Sequence, residues 1–164
     1  MRVPTVLASL ALLLPLAVSA AGVELQYVQP DRYTDAGLRP MEREPSAALK
    51  RELETELQRL GQRYLLPDQT LTLEILDLDL AGQFRWWDAS RGEVRVMSAA
   101  TWPRIRLRYR LMADGRELAK GEESISDRDY LNAVSARSSD PLRYEKNMLG
   151  DWFRSRFGGG RQPA

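Results

Sequence analysis

The stretch LTLEILDLDLAG, residues 71–82, decides how the rest of the chain is expected to fold. Its first half alternates apolar and polar residues, which is the period of a strand with one buried face. The alternation then slips by one residue, so Asp77 and Asp79 take the side of the strand that apolar residues held before. A regular strand would point both carboxylates into the core. The pattern therefore predicts a bulge or bend near Leu76.

The N-terminus has the composition of an export signal. Arg2 precedes an apolar run at residues 6–14, and small residues at 18–20 place a cleavage site near Ala20. The apolar run is too short to cross a bilayer. We therefore expect a signal peptide at residues 1–20 and a mature chain that is periplasmic or secreted, with no transmembrane segment.

The composition limits the chemistry available to the chain. It contains 24 basic and 23 acidic residues but no histidine and no cysteine. Loss of the signal removes one arginine and no acid, so the mature charge is balanced and nucleic-acid binding is not expected. Catalysis by Ser-His-Asp or Cys-His groups and histidine-ligated zinc or haem are excluded. No cofactor is expected, apart from Ca²⁺, Mg²⁺ or Mn²⁺ held by oxygen ligands.

Periodicity and turn residues predict the other elements. Alternating residues indicate strands at 23–28, 71–80, 104–113 and 117–126, with a short one around Val94 and Val96, and apolar stripes indicate helices at 46–64 and 141–157. Ser46 and Asp140 are the predicted helix caps. The combination predicts an α+β fold, in which two main helices pack on one face of a mostly antiparallel sheet of four to five strands. We expect a single domain at 21–157 and a disordered tail at 158–164.

Several short motifs make the chain similar to a known family. They are DLDLAG at 77–82, RVM at 95–97, WPRI at 102–105 followed by Tyr109, the Asp114-Gly115 turn, and YEKNML at 144–149 followed by Trp152-Phe153. With these motifs spread over most of the mature chain, the sequence resembles a domain-of-unknown-function family of small exported proteins from Gram-negative bacteria. The resemblance implies export and a shared fold. It implies no activity, because the family has no assigned chemistry.

Asp77 and Asp79 are the first candidate site. Two carboxylates at i and i+2 on a strand point the same way, at a spacing of roughly 6.5 to 7 Å. This spacing suits two ligands of one hard cation, provided that a turn supplies a third. The alternative is structural, in which the two aspartates pair with arginines of a neighbouring strand or cap the turn at 80–82.

A row of arginines on the strand at 104–113 is the second candidate. Its members alternate with apolar residues, and they are Arg104, Arg106, Arg108 and Arg110. The Asp114-Gly115 turn predicts a hairpin, and the returning strand should bring Glu122 or Glu123 opposite the middle of the row. The row could bind an anionic lipid or polymer through bidentate contacts. The alternative is a solvated face in which the arginines pair with Glu74, Glu117, Glu122 and Glu123.

The connection at residues 83–103 carries the third candidate, an aromatic loop formed by Phe84, Trp86 and Trp87. Aromatic side chains bury a large area in few rotamers, so the loop could be a platform for a sugar or a protein partner. It could equally be a lid over the core or over the edge of the sheet. Trp102 is expected to mark the start of a strand.

Glu145 is the fourth candidate, because helical spacing places it within the apolar arc of the last helix. A buried carboxylate without a partner is costly. We therefore predict a structural salt bridge or hydrogen bond from Glu145 to an arginine or tyrosine of the sheet. The lesser alternative is a general acid with a raised pKa.

These observations favour a non-enzymatic binding or interaction module of the cell envelope. Its expected partner is an envelope protein, a glycan or an anionic lipid, bound by the aromatic loop, the arginine row or both. One alternative is a divalent-metal protein or metal-dependent hydrolase centred on Asp77 and Asp79. Another is a structural subunit of a larger complex.

Overall fold

The computed structural model describes residues 21–42, 44–85, 87 and 94–160. Four strands form the main sheet in the order β1-β2-β5-β6, and they are β1 (Gly22–Tyr27), β2 (Gln69–Asp79), β5 (Arg104–Ala113) and β6 (Arg116–Ser126). β1 pairs with β2 in parallel, and the other two pairings are antiparallel. A small second sheet joins β3 (Gln83–Phe84) to β4 (Arg95–Val96). The predicted signal peptide lies outside the described residues.

Two α-helices cover one face of the main sheet, and they are α1 (Ala47–Tyr64) and α2 (Arg143–Phe157). Short 3₁₀ turns connect or extend these elements, at Pro30–Arg32, Tyr130–Asn132, Val134–Arg137 and Gly158–Gly160. The last of these turns falls within the segment predicted as a disordered tail, whose remainder at 161–164 lies outside the described residues. The α+β architecture predicted from the sequence is confirmed.

The predicted bulge is present in β2. The pairing of β2 with β5 shifts register between Ile75 and Asp77, so Leu76 is the extra residue. Leu78 is consequently buried on the core side, together with the apolar residues of the first half of the strand. Asp77 and Asp79 face the side away from the helices because of this single inserted residue.

The helices and the inner face of the sheet enclose one large apolar core. The buried stripe of α1 consists of Leu49, Leu53, Leu57 and Leu60, which is the spacing predicted from the sequence. The α2 helix contributes Trp152, Phe153 and Phe157, whose rings meet one another edge to face at 5.2–5.4 Å. Burial of these apolar surfaces is the main stabilising contribution to the fold.

The two helices begin differently. The Ser46 hydroxyl accepts a hydrogen bond from the Leu49 amide at 3.3 Å, as predicted for an N-cap. Asp140 does not cap α2, which begins at Arg143. Its Oδ1 atom instead accepts from the Leu142 amide at 2.8 Å, because an aspartate readily closes a turn on the amide two residues ahead.

The β5–β6 hairpin forms around the predicted turn. Asp114 and Gly115 have φ angles of 49° and 74°, as the two central residues of a type I′ turn require. Arg108 lies opposite Glu122, which is one of the pairings expected from the sequence.

Two helical glycines offer a matched test of the packing. A Cβ atom at Gly61 would lie 2.5 Å from Val23 Cγ2 on β1, whereas one at Gly150 would find its nearest neighbour, Leu60 Cδ2, at 3.9 Å. We expect Gly61→Ala to lower the free energy of unfolding by about 1–3 kcal/mol, because the helix must move away from the sheet. Gly150→Ala should raise it by roughly 0.5–1 kcal/mol through helix propensity. Urea denaturation measures both changes, and equal effects of the two substitutions would contradict this packing.

Candidate functional site

The face of the main sheet opposite the helices is polar and carries a broad groove. The groove has a volume of ≈ 590 Å³ and crosses all four strands. It is lined by Glu24, Gln26, Thr72, Glu74, Arg108, Tyr109, Arg110, Lys120, Gly121 and Glu122. This surface, which we call the open face, carries acidic side chains on β1 and β2, basic ones on β5 and both kinds on β6. A ligand lying on it would meet charges of both signs.

The arginine row lies on the open face, and each of its members has an acidic neighbour. The nitrogen–oxygen distances are 2.5 Å for Arg104–Asp79, 3.7 Å for Arg106–Glu122, 2.6 Å for Arg108–Glu74, 3.1 Å for Arg108–Glu122 and 3.4 Å for Arg110–Glu117. All four arginine side chains remain more than half exposed. Exposed pairs of this kind contribute little to stability and exchange partners readily. The row is therefore a paired surface that keeps access to solvent.

Asp77 and Asp79 have separate partners. The carboxylate of Asp77 accepts hydrogen bonds from the amide and the hydroxyl of Thr34, both at 2.8 Å. Asp79 pairs with Arg104, as the structural alternative predicted, whereas no arginine among the described residues pairs with Asp77. Burial raises the pKa of Asp79, and the hydrogen bond from Arg104 opposes that rise. In the described part of the chain no group of three or more acidic side chains is placed to hold a metal ion.

A smaller polar pocket of ≈ 300 Å³ lies at the end of the open face where β2 finishes. Its lining includes Asp35, Asp79, Thr101, Trp102 and Arg104. The Trp102 ring is stacked by the Arg104 guanidinium at 5.6 Å and by a second arginine, at position 128, at 5.0 Å. Trp102 therefore presents a ring enclosed by cations rather than a bare aromatic surface.

The structure divides the predicted aromatic loop. Phe84 belongs to β3. The guanidinium of Arg95 lies over its ring, at 5.0 Å from the ring centroid. Trp87 is 59% exposed. Trp86 lies outside the described residues. Arg95 therefore occupies one face of the Phe84 ring. Of the described aromatic residues in this loop, Trp87 is the one with a largely exposed side chain.

Arg95 is a site residue that sequence reasoning did not select. Its guanidinium makes six hydrogen bonds of 2.8–3.1 Å: two to the carboxylate of Asp35 and one each to the carbonyl oxygens of Gly37, Leu80, Ala81 and Gly82. The side chain is only 9% exposed. The rigid fork of an arginine suits this arrangement, because several acceptors converge on one plane. The sequence feature that could have identified Arg95 is its position in the RVM motif at residues 95–97.

Glu145 reaches the same turn from the other side. Its Oε1 atom accepts a hydrogen bond from the Ala81 amide at 2.7 Å, and Oε2 has no hydrogen-bond partner among the described residues. The predicted burial is confirmed, but the predicted partner was wrong: the donor is a backbone amide rather than an arginine or tyrosine side chain. The turn brings that amide to the buried carboxylate, which the sequence pattern could not show. Burial raises the pKa of Glu145 above its ordinary value.

Three motifs that carry the resemblance therefore meet at one turn, residues 80–82. DLDLAG forms the turn, Arg95 binds its carbonyl groups, and Glu145 binds its central amide. Gly82 has a φ of 75°, and a Cβ atom there would lie 2.7 Å from Met97 Sδ. This junction, which we call the turn clamp, is built for rigidity. It fixes the end of β2 beside the open face.

Comparison with known proteins agrees with the motifs. The sequence profile described as "Protein of unknown function (DUF3016)" matches residues 21–155. The chain belongs to the DUF3016 family. No curated protein matches it. Neither α-helix in the described part of this family member has the length and apolar character needed to span a membrane.

Several solved structures show a distant similarity to this DUF3016 chain. A candidate lipoprotein from Caulobacter crescentus CB15 is 17% identical, with a TM-score of 0.34 over 86% of this chain and 93% of its own. Protein XCC0632 from Xanthomonas campestris, of the DUF330 family, is 12% identical, with a TM-score of 0.38 over 87% and 84%. A minor lipoprotein from Acinetobacter baumannii is 12% identical, with a TM-score of 0.25 over 91% and 100%. Sequence identities and TM-scores as low as these do not support an inference about function.

The turn clamp can be tested by Arg95→Lys. Lysine keeps the charge but cannot reach all the acceptors that the guanidinium fork binds, so buried carbonyl groups lose their donors. We expect the free energy of unfolding to fall by roughly 2–3 kcal/mol. Arg110→Lys, on the exposed row, is the matched control and should change it by less than about 0.5 kcal/mol. Urea denaturation measures both, and similar losses in the two variants would contradict the clamp.

Glu145 should make stability depend on pH. Because its folded pKa is raised, the folded state favours the protonated acid, and the resulting stability is lost as pH rises through the raised pKa. Glu145→Gln should reduce this decline and be more stable than the original chain on the alkaline side. Asp151→Asn, at an exposed position of the same helix, should leave the decline in place. Thermal unfolding across pH measures these effects. Because the pKa of Asp79 is also raised, a smaller decline remains in Glu145→Gln, and a decline as large as that of the original chain would disprove the assignment.

Proposed function

We propose that the protein is an exported, non-enzymatic binding module of the cell envelope, and that its ligand lies across the open face. The signal-like sequence at residues 1–20 supports export. The absence of histidine and cysteine from the chain removes the commonest catalytic groups. The observation that carries the proposal is the groove of ≈ 590 Å³, which crosses all four strands on the face that the helices leave open.

The chemistry of the groove favours a ligand that carries both positive and negative groups. Arg108, at its centre, has carboxylates of Glu74 and Glu122 at 2.6 and 3.1 Å. A uniformly anionic surface such as a lipid bilayer would meet these carboxylates as well as the arginines. A ligand with ammonium and carboxylate groups can instead exchange with each partner of the existing pairs. The peptide stems of the bacterial cell-wall polymer have this chemistry.

The smaller polar pocket at the end of the open face fits the same class of ligand. Trp102 lines the smaller pocket at one end of the open face, beside Arg104. A sugar unit attached to a charged peptide could place its hydroxyl groups in this polar pocket while the peptide lies over the charged rows. We therefore propose a glycopeptide of the cell wall as the ligand. For the alternative of a metal at Asp77 and Asp79, the described residues offer no third acidic ligand.

Calorimetric titration with soluble cell-wall fragments that carry peptide stems tests this proposal. Arg108→Ala should weaken binding by about tenfold, because it removes the cation at the centre of the groove. Arg59→Ala, on α1 and away from the open face, is a control with a similarly exposed arginine and should bind as the original chain does. Vesicles containing phosphatidylglycerol should bind weakly or not at all. Equal binding by the two variants, or binding to vesicles alone, would contradict the proposal.

A further inference from the structure

The two edges of the main sheet are protected to different degrees. At the β1 edge, the side-chain amide of Gln58 accepts from the Val23 amide at 3.3 Å and donates to the Val23 carbonyl at 2.5 Å. Gln58 belongs to α1, so the helix occupies the amide and carbonyl groups of Val23 on this edge. A short, capped edge of this kind does not readily accept another strand.

The β6 edge has no such side-chain cap within the described residues, and a bulge at Leu118 interrupts it only near the hairpin turn. β6 extends over 11 residues, and β5 is its only strand partner within the described residues. In the same part of the chain, no backbone or side-chain hydrogen bond reaches the outer edge of Arg116–Ser126. A long edge with free amide and carbonyl groups is a template for a further strand.

We propose that β6 pairs antiparallel with β6 of a second copy of this chain, about a two-fold axis at Gly121. In this register Lys120 of each copy lies directly opposite Glu122 of the other. The axis repeats the contact, so one interface contains two such ion pairs. Opposite charges directly across an antiparallel pair stabilise it, and like charges destabilise it.

The charges on β6 select this register over its neighbours. Lys120 and Glu122 both point to the open face, and their side chains are 67% and 43% exposed. Moving the axis by one residue would centre the interface on Lys120 or on Glu122, and would bring two like charges face to face. Gly121 suits the central position, because the Tyr109 ring already covers its inner side and no side chain of its own obstructs the second strand.

Pairing in this way would join the two main sheets into one of eight strands. The two-fold axis is perpendicular to the sheet, so both open faces lie on the same side and both pairs of helices on the other. The interface shares Lys120 and Glu122 with the lining of the groove, but it needs no ligand in the groove to form. Dimer formation and ligand binding can therefore fail or succeed separately.

Charge exchange at two positions tests the interface. Sedimentation velocity over a wide concentration range at low salt should show a dimer that dissociates on dilution. Lys120→Glu and Glu122→Lys should each weaken the dimer by about tenfold, because each turns both ion pairs into repulsive contacts. The double variant carrying both changes should restore the dimer, since the swapped charges are again complementary. Arg51→Glu, an exposed charge change on α1, should have no effect.

Circular dichroism confirms that each variant is folded before its association is compared. Amide hydrogen exchange provides the second measurement, since backbone amides on the outer edge of β6 should become protected only in the concentrated sample. A monomer at every concentration would overturn the proposal. A dimer that both single variants form as tightly as the double variant does would overturn it as well.

Discussion

The inserted residue in β2 is the constraint on which the rest of the structure depends. Leu76 has no partner on β5, and the strand regains its pairing at Asp77. With this insertion, the apolar residues of both halves of the strand face the helices and the carboxylates face away. Without it, the second half of β2 would turn two charged groups into the core, at a cost of several kcal/mol by general desolvation values.

The segment that follows β1 holds the bulged half of β2 in place. The Tyr33 hydroxyl donates to the Ile75 carbonyl at 2.7 Å, and Thr34 binds the Asp77 carboxylate. Asp35 then exchanges backbone hydrogen bonds with the end of the strand, donating to Leu78 and accepting from the residue at position 80. A bulge bends its strand and disrupts the ladder. In β2, contacts with residues 33–35 replace the hydrogen bonds that the bulge removes from the pairing with β5. The strand then leads directly into the turn clamp.

The sequence predicted the features that periodicity encodes and missed those that depend on distant contacts. The helices, the β5–β6 hairpin and the bulge follow from the spacing of apolar residues over short windows. The pairing of Asp35 with the end of β2 has no such pattern. Arg95 and the partner of Glu145 were missed for a related reason. Their hydrogen bonds go to backbone atoms of residues 80–82, which carry no side-chain signal in a sequence.

In the candidate site, too, periodicity predicted some features and distant contacts determine the others. The arginine row and the set of acidic residues around it could be predicted from alternation and the turn, whereas the register that pairs individual residues could not. The groove could not, since its shape comes from the arrangement of four strands. The open face and the turn clamp are both consequences of how β2 is aligned on β5.

The most direct test of this account is the register of β2 on β5, measured in solution from cross-strand backbone NOEs. The account predicts contacts between Ile75 and Leu107 and between Asp77 and Arg106, with Leu76 unpaired. A regular ladder, in which Leu76 lies opposite Arg106 and Asp77 opposite Ile105, would contradict it.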